Sequence, residues 1–214
     1  DPGRAIGLGR VLFGESQWGV VKDGKKWVAG PGTQALWDLR ADPAESVDRS
    51  AEADLSVWPE HLSAALGRPV ERVLRIAGPG TKRHMAGGKS GLRLRHPERI
   101  RGAWTRMDPH GSMADPQLLD GEVSVVSTKG AKAPREVFVL LAEGAGLEGL
   151  ELTWSYRDVE YQWTVQAGQT GTLFVGPSGA QLSIGWTWQP VPESGGLSYT
   201  GEVTEEMRAL GYME

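Results

Sequence analysis

Short runs of alternating apolar and polar residues, separated by glycine- or proline-rich turns, constrain the fold of this chain more than any other feature. Alternation with a period of two indicates strands whose two faces meet different surroundings. Strands of this length and spacing are typical of β-sandwiches and jelly-rolls. The predicted strands span residues 70–77, 91–96, 100–107, 121–127, 135–142, 150–156, 159–166, 170–175 and 181–188. The 30 glycines and 13 prolines also favour short strands over long helices, so we expect a mainly β fold.

The clearest hairpin of this predicted sandwich or jelly-roll joins residues 150–156 to residues 159–166. Aromatic side chains recur at every second position in both strands, which is hard to reconcile with a helix. The residues that share a face are Trp154 and Tyr156 on the first strand, and Tyr161, Trp163 and Val165 on the second.

Residues 10–39 predict a small antiparallel meander that precedes the sandwich. Asp23-Gly24 lies between two short apolar runs. It is a strong signal for a two-residue hairpin, because both turn positions must tolerate a positive φ. A second turn at residues 30–33 leads into a further strand at residues 34–39.

A short helix is predicted at residues 59–66, directly after the meander. Pro59 suits the first helical position, where its missing N–H costs nothing. Gly67 provides a stop signal. We expect the apolar face of this helix to pack on the meander and to bury Trp37 and Leu39.

Two segments near the ends of the chain carry a family resemblance. Residues 36–45, Leu-Trp-Asp-Leu-Arg-Ala-Asp-Pro-Ala-Glu, resemble the "LYDL…DPxE" signature near the C terminus of sulfatases of the alkaline phosphatase superfamily. A hairpin strand similar to residues 25–28, Lys-Lys-Trp-Val, precedes that signature in the family. Residues 206–212, Glu-Met-Arg-Ala-Leu-Gly-Tyr, resemble the "LRALGY" tail of many sulfatase-like proteins. The chain departs from the pattern at Trp37, where Tyr is usual, and at Asp48, where Asn is commoner.

The resemblance implies a non-catalytic role for this chain. Sulfatases use a formylglycine made from Cys or Ser, together with a metal ion, and their catalytic part precedes the region resembled here. This chain has no Cys and no Ser-x-Pro-x-Arg or Cys-x-Pro-x-Arg stretch. We therefore expect no enzymatic activity from the chain alone. Its partner would be an upstream catalytic domain of the same protein, whose fold it completes and whose substrate access it could shape.

The domain organisation that follows has three parts. Residues 1–67 form the meander and helix, and residues 68–202 form an accessory β-sandwich inserted before the end. Residues 203–214 form a short C-terminal helix, with Met207 and Leu210 on one face. We expect that face to return to the first part of the chain.

An alternative from another functional class is a free-standing module that binds carbohydrate or protein. The 9 tryptophans outnumber the 4 tyrosines and 3 phenylalanines together, and exposed aromatic rings on a sheet can stack on sugars. The same rings would equally fill a sandwich core, because they carry a large apolar area and favour strands. The candidate ligand-binding residues are Trp154, Tyr156, Tyr161, Trp163, Trp186 and Trp188.

A loop rich in Asp, Pro and Gly offers a possible structural calcium site, the only cofactor that the sequence suggests. Asp108, His110, Asp115 and Asp120 could place oxygen and nitrogen ligands together. The alternative is a solvated connection, since these residue types also favour turns.

The charge pattern and hydropathy limit the kinds of partner that this chain can bind. The formal net charge is −4 and most Lys and Arg are scattered, which argues against nucleic-acid binding. A local basic stretch between Arg93 and Arg106 could bind an anionic glycan or an acidic protein surface. No stretch approaches the roughly 20 apolar residues that span a bilayer. The absence of Cys is compatible with an exported bacterial protein, periplasmic or extracellular.

Overall fold

A computed structural model of the chain confirms a mainly β fold. It describes residues 5–10, 17–78, 90–96, 100–105, 116–119, 122–127, 136–156, 159–175 and 181–192. Within these residues the chain forms three antiparallel sheets, one α-helix and a short 3-10 helix at Ser50–Glu52. The predicted C-terminal helix at residues 203–214 lies outside the described residues.

The first sheet, the meander sheet, has four strands in sequential order. They are β1 (Ile6–Arg10), β2 (Gln17–Lys22), β3 (Lys25–Gly30) and β4 (Thr33–Asp38). Asp23 and Gly24 join β2 to β3 with φ values of 52° and 79°, which confirms the predicted hairpin turn. Pro31 and Gly32 join β3 to β4, and Gly32 has a φ of 70°. Proline followed by a glycine of positive φ is the pattern of a type II turn.

Helix α1 (Trp58–Leu66) packs on the meander sheet, which confirms the predicted helix to within one residue. Gly67 adopts a left-handed φ of 67° and its N–H donates to the Ser63 carbonyl, which ends the helix. Leu62 is fully buried in a cluster with Trp27 and Leu36 of the sheet. A helix of nine residues is marginal alone, so this contact stabilises α1.

The predicted burial of Trp37 and Leu39 beneath α1 is wrong. Leu36 is 3% exposed and packs with the residues beneath the helix, whereas Trp37 and Leu39 remain partly exposed outside that cluster. The two-residue turn pairs Leu36 with Trp27 and Trp37 with Lys26. Side chains alternate between the two faces of a strand, so this register places Trp37 on the face away from α1.

Ten further strands follow in chain order. They are β5 (Val70–Ala77), β6 (Ser90–Arg95), β7 (Ile100–Thr105), β8 (Gln117–Leu119), β9 (Glu122–Ser127), β10 (Glu136–Leu141), β11 (Glu151–Tyr156), β12 (Val159–Thr164), β13 (Gly171–Val175) and β14 (Gln181–Pro190). Every strand predicted in this region is present, with ends within two residues of the prediction. The structure also contains one strand that the sequence did not predict, β8. Its three residues are all exposed and carry no alternating pattern.

These ten strands form two five-stranded antiparallel sheets with a sandwich-like arrangement. The first sandwich sheet has the order β13-β14-β5-β10-β7, and the second has the order β12-β11-β6-β9-β8. One buried cluster contains side chains from both sheets, including Leu74 and Ile76 of β5 and Leu152 and Trp154 of β11. Alternate positions of β5 and β11 therefore supply a shared core, as the period-two pattern predicts.

The paired strands β5 and β14 also connect the sandwich to the meander sheet. Val70 at the start of β5 and Trp188 near the end of β14 pack into the buried cluster between α1 and the meander sheet. Trp18 Nε1 of β2 donates to Gln189 Oε1 over 2.8 Å. This ribbon therefore contributes to both cores.

Candidate functional site

The main candidate site is a groove between the meander sheet and the edge of the first sandwich sheet, here called the junction groove. Strand β13 pairs with β14 only as far as Ile184, which lies opposite Gly171. Beyond that point the turn between β3 and β4 approaches the edge of β14, and the Gly32 N–H donates to the Trp186 carbonyl over 2.9 Å. The groove encloses about 650 Å³ and is lined by residues 30–34, Arg72, Arg75, Thr170, Gly171 and 183–188. Its volume falls in the range of about 300–1,000 Å³ typical of small-molecule sites.

Two of the predicted aromatic candidates, Trp186 and Trp188, line this groove. Both are partly buried: Trp186 packs against the sandwich core and Trp188 against the meander core. In the β5–β14 pairing Trp188 lies directly opposite Arg72. Because Trp186 is two residues away on the same strand, all three side chains share one face.

Arg72 is exposed and its guanidinium carbon lies 4.6 Å from the centre of the Trp186 ring. This is a cation–π contact, which orients a guanidinium without neutralising it. In the described portion of the chain Arg72 forms no ion pair. The groove therefore presents a positively charged group that a ring holds in place.

Arg75, the other arginine of the groove, differs from Arg72 because a carboxylate already pairs with it. Its guanidinium forms an ion pair with Glu136, and both side chains are largely buried. No acidic residue occurs among the described residues that line the groove. Arg72 therefore dominates the local charge.

Small polar groups complete the lining of the junction groove. Thr187 is 2% exposed, and its hydroxyl oxygen is buried without a hydrogen-bond partner in the described structure. Gln34 accepts a hydrogen bond from Trp27 Nε1 over 3.3 Å. Thr33 and Ser183 add further hydroxyls. Alternation along β14 places Ser183 and Thr187 on the face opposite to Trp186 and Trp188. The combination of the aromatic surface, the Thr33 hydroxyl and one cation suits a polar ligand with some apolar faces.

The aromatic residues of the β11–β12 hairpin lie elsewhere. Trp154 is 5% exposed, and Tyr161 and Trp163 are partly buried against the same sandwich core. The Tyr161 ring stands 5.9 Å from that of Trp154 and 6.1 Å from that of Trp163. Their strand positions share a face with Leu152. These rings therefore pack against the core, as expected if the aromatic residues fill the sandwich. The side chain of Tyr156 lies outside the described residues.

The four predicted metal ligands lie outside the described residues. They are Asp108, His110, Asp115 and Asp120. Within the described ranges, no group of three or more His, Asp and Glu side chains is arranged to hold a metal ion.

The basic stretch that begins at Arg93 is partly compensated by carboxylates. Arg93 pairs with Glu160 over 2.9 Å, and Arg101 pairs with Glu71 over 3.2 Å. Both pairs are exposed, and such pairs contribute little to stability. They nevertheless reduce the positive charge available to a ligand on that surface.

A second feature of interest is residues 38–48, here called the signature loop, which carries most of the sulfatase-like motif. Asp38 Oδ1 accepts from the backbone N–H of Arg40 over 3.0 Å and of Ala41 over 3.2 Å. Asp42 Oδ2 accepts from the N–H of Val47 over 2.7 Å. The carboxylates therefore fold the loop on itself.

Two further contacts hold the signature loop to the meander sheet. Asp48 Oδ1 accepts from the backbone N–H of Leu36 in β4 over 3.0 Å. Lys26 of β3 forms an ion pair of 2.7 Å with Glu45. Hydrogen bonds from backbone N–H groups lower the pKa of Asp38 and of Asp48 below the ordinary value of 3.8. Both groups are thus carboxylates occupied in structural hydrogen bonds.

Sequence reasoning missed Arg72 as a site residue. A signal was present, because Arg72 lies at the same strand parity as the apolar Leu74 and Ile76. A charged residue on the apolar face of a strand requires a solvent-exposed position or a partner. The turn at residues 30–34 gave no comparable signal.

Comparison of the chain with protein-family models, with curated proteins and with solved structures finds no match. Among the described residues, no helix is long and apolar enough to cross a membrane.

Proposed function

We propose that this chain is the non-catalytic C-terminal portion of an exported, sulfatase-like bacterial hydrolase, where it completes the fold of an upstream catalytic domain. The observation that carries this proposal is the signature loop. Its motif residues Asp38, Asp42 and Asp48 bind backbone N–H groups, and Glu45 anchors the loop to Lys26. A sequence motif with this structural role is what a fold-completing region needs.

The arrangement also supports a division of labour between this chain and an upstream domain. The chain has no Cys-x-Pro-x-Arg or Ser-x-Pro-x-Arg stretch in which a formylglycine could be made. Its signature carboxylates Asp38 and Asp48 are committed to backbone hydrogen bonds. The nucleophile and the catalytic metal ligands would therefore come from the upstream domain.

Sequencing the gene upstream of the codon for Asp1 tests this proposal. We expect a continuous reading frame of several hundred codons that contains a Cys-x-Pro-x-Arg or Ser-x-Pro-x-Arg motif. A signal peptide directly before Asp1, with no catalytic domain, would instead favour a free-standing module.

We also propose that the junction groove binds carbohydrate, which would shape substrate access in such an enzyme. The specific observation is that Trp186, Trp188 and Arg72 share one face of a groove that Thr33 also lines. Partly exposed tryptophan offers an apolar ring face to the C–H groups of a sugar, and the neighbouring polar groups can bind its hydroxyls.

Affinity electrophoresis of the purified chain in gels that contain different polysaccharides tests this second proposal. We expect retardation by at least one polysaccharide and its loss in Trp188→Ala. Trp37→Ala is the matched control, because Trp37 is a partly exposed tryptophan outside the groove. Equal retardation of both variants and the parent chain would place binding elsewhere.

A further inference from the structure

We infer that the junction groove selects an anionic saccharide, one that carries a sulfate ester or a carboxylate, and that Arg72 is the residue that recognises the negative charge. This inference rests on the proposed carbohydrate binding by the groove and adds the chemical class of the ligand. The argument begins from charge. The described lining contains Arg72 and Arg75 but no acidic residue, and Glu136 neutralises Arg75. The charge of Arg72 is left for a ligand.

The position of Arg72 also favours recognition of an oxyanion. A free arginine side chain loses considerable rotamer entropy when it binds a ligand. Here the contact with the Trp186 ring already restricts the guanidinium, which lies 4.6 Å from the ring centre. A planar guanidinium can donate two parallel hydrogen bonds to sulfate or carboxylate oxygens. The contact thus restricts Arg72 before a ligand binds.

The surroundings of Arg72 explain why the anion should be attached to a sugar. Trp188 lies directly opposite Arg72 in the strand pairing and is partly buried, so an anion at Arg72 would bring the rest of its molecule towards this ring. Thr33 offers a hydroxyl in the same groove. A small inorganic anion would use only the guanidinium of Arg72, whereas an anionic saccharide can also contact the Trp188 ring and the Thr33 hydroxyl.

Trp188 provides a way to alter the groove without touching Arg72. Its ring lines the groove on the same face as Arg72. Trp188→Ala should therefore remove the apolar surface beside the charge. Trp37 is a partly exposed tryptophan outside the groove, so Trp37→Ala is its matched control.

Isothermal titration calorimetry with three defined oligosaccharides tests the inference. The probes are a sulfated galactan oligomer, the same oligomer after chemical desulfation, and an oligomer of uronic acid. They separate a sulfate ester from a carboxylate as the source of the charge. The variants are Arg72→Gln, Trp188→Ala and two controls, Trp37→Ala and Arg95→Gln. Arg95 is an exposed arginine of the second sandwich sheet.

We expect the chain to bind at least one charged oligomer about 10- to 100-fold more tightly than the desulfated one, the range expected for a charge-assisted pair. Arg72→Gln should remove that preference and weaken the dependence of affinity on salt. Trp188→Ala should weaken the binding of every oligomer that the parent chain binds, because it removes the apolar ring beside Arg72. The two controls should bind like the parent chain, and unchanged circular dichroism would show that every variant is folded.

The contrary results distinguish the inference from the function on which it rests. If the desulfated oligomer binds as tightly as the charged ones and Trp188→Ala weakens its binding, the groove binds sugar but the inference about charge is wrong. If Arg95→Gln reduces affinity as much as Arg72→Gln, the anion binds outside the groove. If none of the three oligomers binds the parent chain, the proposed carbohydrate binding fails and the inference fails with it.

Discussion

The neighbouring residues Leu36 and Trp37 should respond very differently to truncation. Leu36 is 3% exposed and lies in the cluster beneath α1, so Leu36→Ala removes buried carbon atoms and leaves a cavity. A cost of about 3 kcal/mol in the free energy of unfolding follows from the transfer and cavity contributions of a buried leucine. Trp37 is partly exposed on the opposite face, where Lys26 Nζ lies 5.6 Å from its ring centre. Trp37→Ala should cost about 1 kcal/mol, because it removes a half-exposed ring and one weak cation–π contact.

Urea unfolding followed by far-UV circular dichroism measures both values, since this signal does not depend on the tryptophan that one variant lacks. Urea midpoints should be compared at an unchanged slope, so that a shift reports stability alone. A larger loss for Trp37→Ala than for Leu36→Ala would refute the register of β4. It would mean that the face with Trp37 lies beneath α1, as sequence reasoning alone predicted.

Three further predictions concern packing, pH and the end of the chain. Gly19→Ala places a Cβ 2.5 Å from the Trp27 carbonyl oxygen, which cannot move independently of its strand. It should lower the free energy of unfolding by about 1–3 kcal/mol in urea titrations, and a neutral effect would contradict the β2–β3 spacing. The pKa values of Asp38 and Asp48 are lowered in the folded chain, so their contribution to stability is present above the ordinary pKa of 3.8 and is lost as the pH falls below it. The melting temperature of the Asp48→Asn variant should therefore lie below that of the parent chain at pH 7. Between pH 5 and pH 3 it should fall less than that of the parent chain. Parallel curves of melting temperature against pH would show that Asp48 is not involved. Deletion of residues 203–214 should speed hydrogen exchange in the meander sheet more than in the sandwich sheets, and the opposite order would contradict the proposed return of the tail.

Local signals made the secondary structure predictable. Asp23-Gly24 specifies a turn with two positive φ values, and Gly67 specifies the end of α1 through its left-handed conformation. Alternation was strict enough in β11 and β12 to predict a sandwich, whereas all six residues of β10 are buried. The segment around Leu36 and Trp37 is different, because apolar residues occur there at both parities. The partner strand decides which face of this segment is buried. Leu36 pairs with the apolar Trp27, whereas Trp37 pairs with Lys26, whose charge disfavours burial.

The junction groove was not predictable from the sequence, because its walls are distant in the chain. The turn at residues 30–34 meets β14 about 150 residues later, and only the pairing of β5 with β14 brings Arg72 beside Trp186. Composition identified Trp186 and Trp188 as candidates but could not separate them from Trp154, which the fold buries. That separation depends on where the edge of one sheet is left uncovered by β13.

Hydrolysis of an aryl sulfate, measured side by side for the full translated reading frame and for residues 1–214 alone, tests the proposed non-catalytic role most directly. Both proteins should be assayed with added divalent metal, and mass spectrometry should verify the formylglycine in the longer protein. We predict turnover by the longer protein and none above the buffer control by residues 1–214. Turnover by residues 1–214 alone, or none by a longer protein that carries formylglycine, would contradict the proposal.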